Sequence, residues 1–231
     1  MRPGPLVDPD TVPPWLEPLA RRSGDLVAAD VTRVPVPPDG GGRRAAVLVL
    51  FGVDEATAAP DLLLLRRSDG LSSHAGQVAF PGGALDDGDD GPVAAALREA
   101  DEEVGVRATD VRPVAVLPEL YLPPSDYLVT PVLAHWEQPG HVEAVDPGET
   151  AAVARVRVDV LADPANRLLV RGQSGWTFPA FVLPGMLVWG FTGGLVNAVL
   201  AMGGWERPWD ADRVHDVDAA WRMAEETGVG W

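Results

Sequence analysis

The stretch that most limits what this chain can fold into is residues 92–105, PVAAALREADEEVG. Pro suits a first helical turn and Gly the position just past a helix end. The stretch therefore predicts a helix from Pro92 to about Val104 that stops at Gly105, with Asp90 or Gly91 as cap. At about 100° per residue, with Glu99 set at zero, Glu103 falls near +40° and Glu102 near −60°. Three carboxylates thus share one face. Val93, Leu97, Ala100 and Val104 fall between about +100° and +160°, a single apolar stripe. Like charges at these spacings destabilise a helix by roughly 0.2–0.5 kcal/mol per pair. The same carboxylates crowd the C-terminal end, where the helix dipole opposes negative charge. A hard divalent cation relieves both penalties, since Mg²⁺ is held by carboxylates together with substrate phosphates. An acidic face in water is the plainer alternative, and the helix alone leaves both open.

What precedes and follows that helix is more specific. Arg98-Glu99-Ala100-Asp101-Glu102-Glu103-Val104-Gly105-Val106, after Phe80-Pro81-Gly82-Gly83, resembles the signature of the Nudix hydrolases, Gly-x5-Glu-x7-Arg-Glu-U-x-Glu-Glu-x-Gly-U with U a bulky apolar residue. Arg98, Glu99, Glu102, Glu103, Gly105 and Val106 match position by position, with Ala100 a small version of U. Counting back from Arg98 puts Ala84 at the first Gly and Asp90 at the loop Glu. One extra loop residue would restore Gly83, leaving Asp89 or Asp90 in place of the Glu. A second likeness covers residues 63–83, LLLRRSDGLSSHAGQVAFPGG, which is similar to the added motif of the coenzyme A diphosphatase branch of that family. Leu63, Leu64, Arg67, Ser68, Gly76, Phe80, Pro81, Gly82 and Gly83 match it. Leu65 stands where the motif has Thr, and Ser72 where it has a second Arg. A serine cannot grip phosphate with a guanidinium's paired donors, so Ser72 bears on substrate choice. Val188-Trp189-Gly190-Phe191-Thr192 is similar to that branch's C-terminal helix.

Composition narrows the partners. Net charge is −16, and all 18 basic residues are Arg. An acidic chain without a basic stripe repels nucleic-acid polymers, whereas a bound metal can still admit a small anionic substrate. The absence of Cys removes disulfides, thiolate catalysis and Cys-based zinc sites. No signal-peptide layout opens the chain, so the cytoplasm is the expected location. Residues 172–205 carry no charge and invite a membrane reading. Pro179, Pro184, Gly185, Gly190, Gly193, Gly194 and Asn197 interrupt that segment, which favours a buried strand followed by a core helix over 186–202.

With 231 residues, 46% of them hydrophobic, the chain can form one large domain. Residues 1–44, rich in Pro and Gly, form an expected N-terminal extension, with one short helix over 15–22. The domain proper occupies 45–231. Strands are expected over 45–51, 62–65, 111–117, 128–136 and 153–158, and a hairpin from 168–171 and 176–183. A short helix is expected near 159–162 and a last one over 211–226. This mixture is α/β (α+β). The resemblance implies an α/β/α sandwich around a mixed sheet, with the acidic helix laid against it.

The same resemblance implies a metal-dependent hydrolase that uses Mg²⁺ or Mn²⁺ to cleave the pyrophosphate of coenzyme A or an acyl-coenzyme A. The products are adenosine 3′,5′-bisphosphate and (acyl-)4′-phosphopantetheine. Glu99, Glu102 and Glu103 are the expected metal ligands, and Arg98 steadies Glu102 four residues on. The general base is either Glu99 or a later carboxylate, Glu149 before Glu143 or Asp146. Arg67, His74, Gln77, Gly82 and Gly83 are the expected substrate contacts. Two alternatives stand. One is the same chemistry on ADP-ribose, NADH or another nucleoside diphosphate derivative. The other is a Nudix-fold module that binds a nucleotide without cleaving it. A small nucleotide-like molecule is the expected partner; no membrane is expected, and a homodimer is allowed but not required.

Overall fold

The computed structural model describes residues 2–37, 40–71, 74–172 and 175–228. Among these, the elements in chain order are β1 (Gly4–Pro5), α1 (Glu17–Arg22), α2 (Ala28–Val31), β2 (Arg43–Val53), β3 (Pro60–Arg67), β4 (Val78–Ala79) and β5 (Gly82–Ala84). Then follow α3 (Pro92–Val104), β6 (Val111–Val116), β7 (Leu120–Leu122), β8 (Tyr127–Trp136), β9 (Thr150–Arg157) and α4 (Val158–Leu161). The chain ends with β10 (Arg167–Arg171), β11 (Thr177–Leu183), β12 (Met186–Val188), α5 (Gly190–Gly203), β13 (Val214–Asp216) and α6 (Val217–Glu226).

The larger sheet runs β1-β6-β8-β2-β3-β4, with β5 on β2, β7 on β8 and β9 on β3. It is mixed, because β2 and β8 run parallel while β3 and β5 pair antiparallel with β2. The apolar runs of β2 and β3 are continuous because both faces of this sheet are covered. Leu48 and Leu50 of β2 and Leu63 and Leu65 of β3 pack on Ala95, Ala96, Ala100 and Val104 of α3. Val49, Phe51, Leu62 and Leu64, on the opposite face, pack with Leu16 and Leu19 of the N-terminal segment and Leu195 and Val199 of α5. Helix, sheet and helix therefore form three layers. A smaller sheet, β12-β11-β10-β13, has α6 against it through Ala220 and Ala224.

Two segments depart from expectation, and a third resolves a point the sequence left open. The helix expected over 186–202 divides into β12 and α5, because Gly185 lets the chain turn back so that β12 pairs with β11, and Gly190, at φ +63°, opens the helix afterwards. The last helix starts at Val217, since Val214–Asp216 is recruited as a parallel edge strand beside β10. The N-terminal segment is tied down: β1 pairs with β6, and Leu16, Leu19 and Ala20 are fully buried. Among the described residues no helix is long and apolar enough to cross a membrane.

Candidate active site

Helix α3 spans Pro92–Val104 as its sequence dictates, with Gly91 as N-cap and Gly105 left-handed at φ +73° beyond its end. Strand β5 lies across the acidic face of the helix. A methyl group on Gly83 would land on the Glu99 carboxylate, and one on Gly82 would strike the Ala46 carbonyl and Val47. Only glycines let the backbone come so close to the carboxylates. The Gly82 N–H donates to Glu103 Oε2 at 2.9 Å, which fixes that side chain.

Arg98 organises the other side. Its Nε and Nη2 donate to the Asp89 carboxylate at 3.1 and 2.9 Å, a paired contact, and Nη2 also donates to the Ala84 carbonyl at 3.0 Å. Its Nη1 reaches Glu99 Oε1 at 3.0 Å and Glu102 Oε2 at 3.1 Å. Of the two loop acids, Asp89 is the one that pairs with Arg98, so Gly83 holds the first Gly position of the signature and the extra residue falls between Asp89 and Arg98. Asp89 is consequently engaged by the arginine, which holds its carboxyl below the usual range.

The remaining candidates fall into two groups. Arg67 ends β3 with Nη1 4.0 Å from Glu103 Oε1. Glu149 lies where its charge adds to the strain on Glu103, and its backbone carbonyl accepts from the Ser68 N–H at 2.8 Å. His74 and Gln77 instead pair with each other, Nδ1 to Oε1 at 3.0 Å, with His74 in the left-handed region at φ +55°. Leu65, a departure from the coenzyme A motif, is buried in the core under α3 and is a packing residue. Ser72 lies outside the described residues. Thr150 carries no sequence signal but is buried beside this cluster.

Burial pushes the Glu103 carboxyl up to about 7; the Gly82 N–H and Arg67 oppose that rise, while Glu99 and Glu149 add to it. Burial likewise raises Glu99, against the pull of Arg98. Glu102 is 59% exposed and is held at the rim by Arg98. Among the described residues no three acidic or imidazole groups already converge on one point. Glu103 is turned to Gly82, while Glu99 and Glu102 are turned to Arg98. A divalent cation nonetheless suits this face. The donors are hard carboxylate oxygens, two of the carboxyls have their pKa values raised chiefly by burial, and a bound cation would favour their charged forms.

Fold and site together describe a mixed α/β domain in which a carboxylate-rich helix packs against a strand of glycines. The model of the NUDIX domain matches residues 42–173, more than half of the chain, and the chain belongs to the Nudix family. It carries a Nudix hydrolase domain. The Nudix hydrolases NudL of Escherichia fergusonii and of Escherichia coli K12 are each 50% identical over 91 residues, 39% of this chain and 45% of theirs. The chain thus spans about half the length of the curated relatives it matches. Among solved structures, the Mycobacterium smegmatis Nudix hydrolase RenU is 28% identical over 52% of this chain and 74% of its own, with a TM-score of 0.44. A MutT/nudix family protein from Enterococcus faecalis is 15% identical over 74% of this chain and 64% of its own, with a TM-score of 0.46.

Proposed function

We propose that this chain hydrolyses the pyrophosphate bond of a nucleoside diphosphate derivative, with coenzyme A or its thioesters as first substrate class and Mg²⁺ or Mn²⁺ as cofactor. The observation that carries the reading is the packing of Glu99 and Glu103 against Gly82 and Gly83, with both carboxyls raised by burial. A nucleotide-binding module without activity has no use for two ionisable groups held at such cost. When bound by Glu99, Glu102 and Glu103, the metal supplies charge neutralisation and water activation.

The chain's own residues supply the rest. Arg98 fixes the rotamers of Glu99 and Glu102 and ties the helix to the Ala84 carbonyl, so the carboxylates are oriented before substrate arrives. The Gly82 N–H holds Glu103 from the other side. Arg67, at the end of β3, faces the same carboxylate and offers a phosphate contact. Glu149 or Glu99 takes the proton of the attacking water. ADP-ribose and NADH form the second substrate class, favoured by the serine at position 72.

Hydrolysis across coenzyme A, acetyl-coenzyme A, ADP-ribose, NADH and a nucleoside triphosphate, at millimolar Mg²⁺ or Mn²⁺, tests this. Coenzyme A species are expected to turn over, and Glu103→Gln to lose about 100-fold or more in kcat. Turnover of ADP-ribose or NADH alone would retain the chemistry and replace the substrate. Tight binding without turnover would leave a binding module.

A further inference from the structure

Thr150 is 1% exposed, and its hydroxyl has no hydrogen-bond partner. The Nε of Arg67 is buried and likewise unpartnered. These two orphans belong to residues that face each other. Strands β3 and β9 pair Arg66 with Ala152 but Arg67 with Thr150, because a bulge between Arg66 and Arg67 skips residue 151. Directly opposed residues on antiparallel strands share one face, and a bulge beside a site re-aims a side chain. The face is the one toward α3: Leu63 and Leu65 pack on that helix, and Arg67 is next in their alternating row. Arg67 Nη1 stands 4.0 Å from Glu103 Oε1.

A buried donor without an acceptor is costly; the Thr150 hydroxyl, which could itself accept from Arg67 Nε, makes no such bond, so both groups are left needing an acceptor. The nearest carboxylate does not fill that role: Glu103 Oε1 stands 4.0 Å from Arg67 Nη1, and neither Thr150 Oγ1 nor Arg67 Nε is hydrogen-bonded to it. We propose that Thr150 Oγ1 and Arg67 Nε together form a subsite for one phosphoryl oxygen of the substrate, on the β9 side of Glu103. An anionic oxygen carries lone pairs and no hydrogen, so it can accept from both groups at once. The bulge is what puts Thr150, and not residue 151, opposite the arginine. The proposal rests on the diphosphate-hydrolase reading above and adds to it a residue that the helix signature does not contain.

The probe is methylenediphosphonate, a diphosphate mimic that resists hydrolysis, titrated calorimetrically into the full chain with Mg²⁺ present. Wild type is expected to bind it, Thr150→Val to bind about tenfold or more weakly, and Thr150→Ser to stay within about threefold of wild type. Thr150→Ala gives the same comparison if the valine variant does not fold. Equal affinity in wild type and Thr150→Val overturns the subsite even if Tm falls, because the hydroxyl then only packs or binds a buried water. Failure of wild type to bind the diphosphonate overturns it as well. The hydrolysis panel separates the two readings. Turnover that is lost in Glu103→Gln, beside unchanged diphosphonate affinity in Thr150→Val, removes the subsite and leaves the hydrolase. Absence of both turnover and binding removes both.

Discussion

A carboxylate that is 8% exposed and faces two other carboxylates ionises against both burial and repulsion, and Glu103 is in that position. Its folded-state value, about 7, lies above the ordinary 4.5. Its contribution to stability is therefore full below about pH 4.5 and is lost as pH rises through about 7. Without metal, wild type is expected to lose up to about 3 kcal/mol relative to Glu103→Gln between about pH 5 and pH 8. Urea unfolding of both proteins in chelator measures this; parallel pH slopes would sink it. Added Mg²⁺ is expected to recover the loss at the higher pH in wild type only. At this scale the sequence was legible wherever residues sit at fixed spacing on one helix. Glu99, Glu102, Glu103 and Arg98 share a face because the helical repeat requires it. Asp89 was not legible as the arginine's partner, since an inserted loop residue breaks the count between the glycines and Arg98. Thr150 was hidden for a similar reason: strand alternation assigns the α3 face to residue 151, and the bulge transfers it.

Between elements, the decisive contact is β5 on α3. The backbone of Gly83 rests where any side chain would displace the Glu99 carboxylate. Gly83→Ala is expected to displace the Glu99 carboxylate, the movable end of its side chain, at small cost in stability, and to weaken Mg²⁺ binding and turnover together. Denaturant unfolding and metal titration of the same variant check both; unchanged metal affinity would show that Glu99 does not depend on this spacing. Arg98 fixes the same contact from the other end through Asp89 and the Ala84 carbonyl. Elements that bury one continuous run, such as β2 and β3, or carry strong terminal signals, such as α3, were legible from sequence. The segment from Met186 was not, because an apolar run buried as strand and then helix shows neither period until Gly190 divides it. Nor was β13, whose extended form depends on β10 being beside it.

For the molecule as a whole, the N-terminal segment and the turn just past α5 meet over one residue of the central sheet. Phe51 of β2 has the Trp15 ring at 6.2 Å and the Trp205 ring at 5.6 Å. Around it, Arg112 Nη1 donates to the Thr11 carbonyl at 2.9 Å, and Arg22 Nη1 to the Met202 carbonyl at 3.1 Å. Composition marks residues 1–44 as an extension, since Pro and Gly dominate them. What composition does not register is three apolar side chains, Leu16, Leu19 and Ala20, placed where α5 leaves the sheet uncovered. The face of the sheet opposite α3 is thus closed by the N-terminal segment together with α5, and the helix that carries the carboxylates is braced by a sheet whose other side depends on the N-terminal segment. Leu16→Ala is expected to lower unfolding free energy by about 2–5 kcal/mol, the usual cost of a core leucine. Because Leu16 lies on the far side of the sheet from Glu99 and Glu103, kcat at a temperature well below Tm is expected to stay within about threefold of wild type. Urea unfolding and turnover on one preparation test the pair of statements. Loss of activity at unchanged stability would mean that the N-terminal segment reaches the site by a route other than the core.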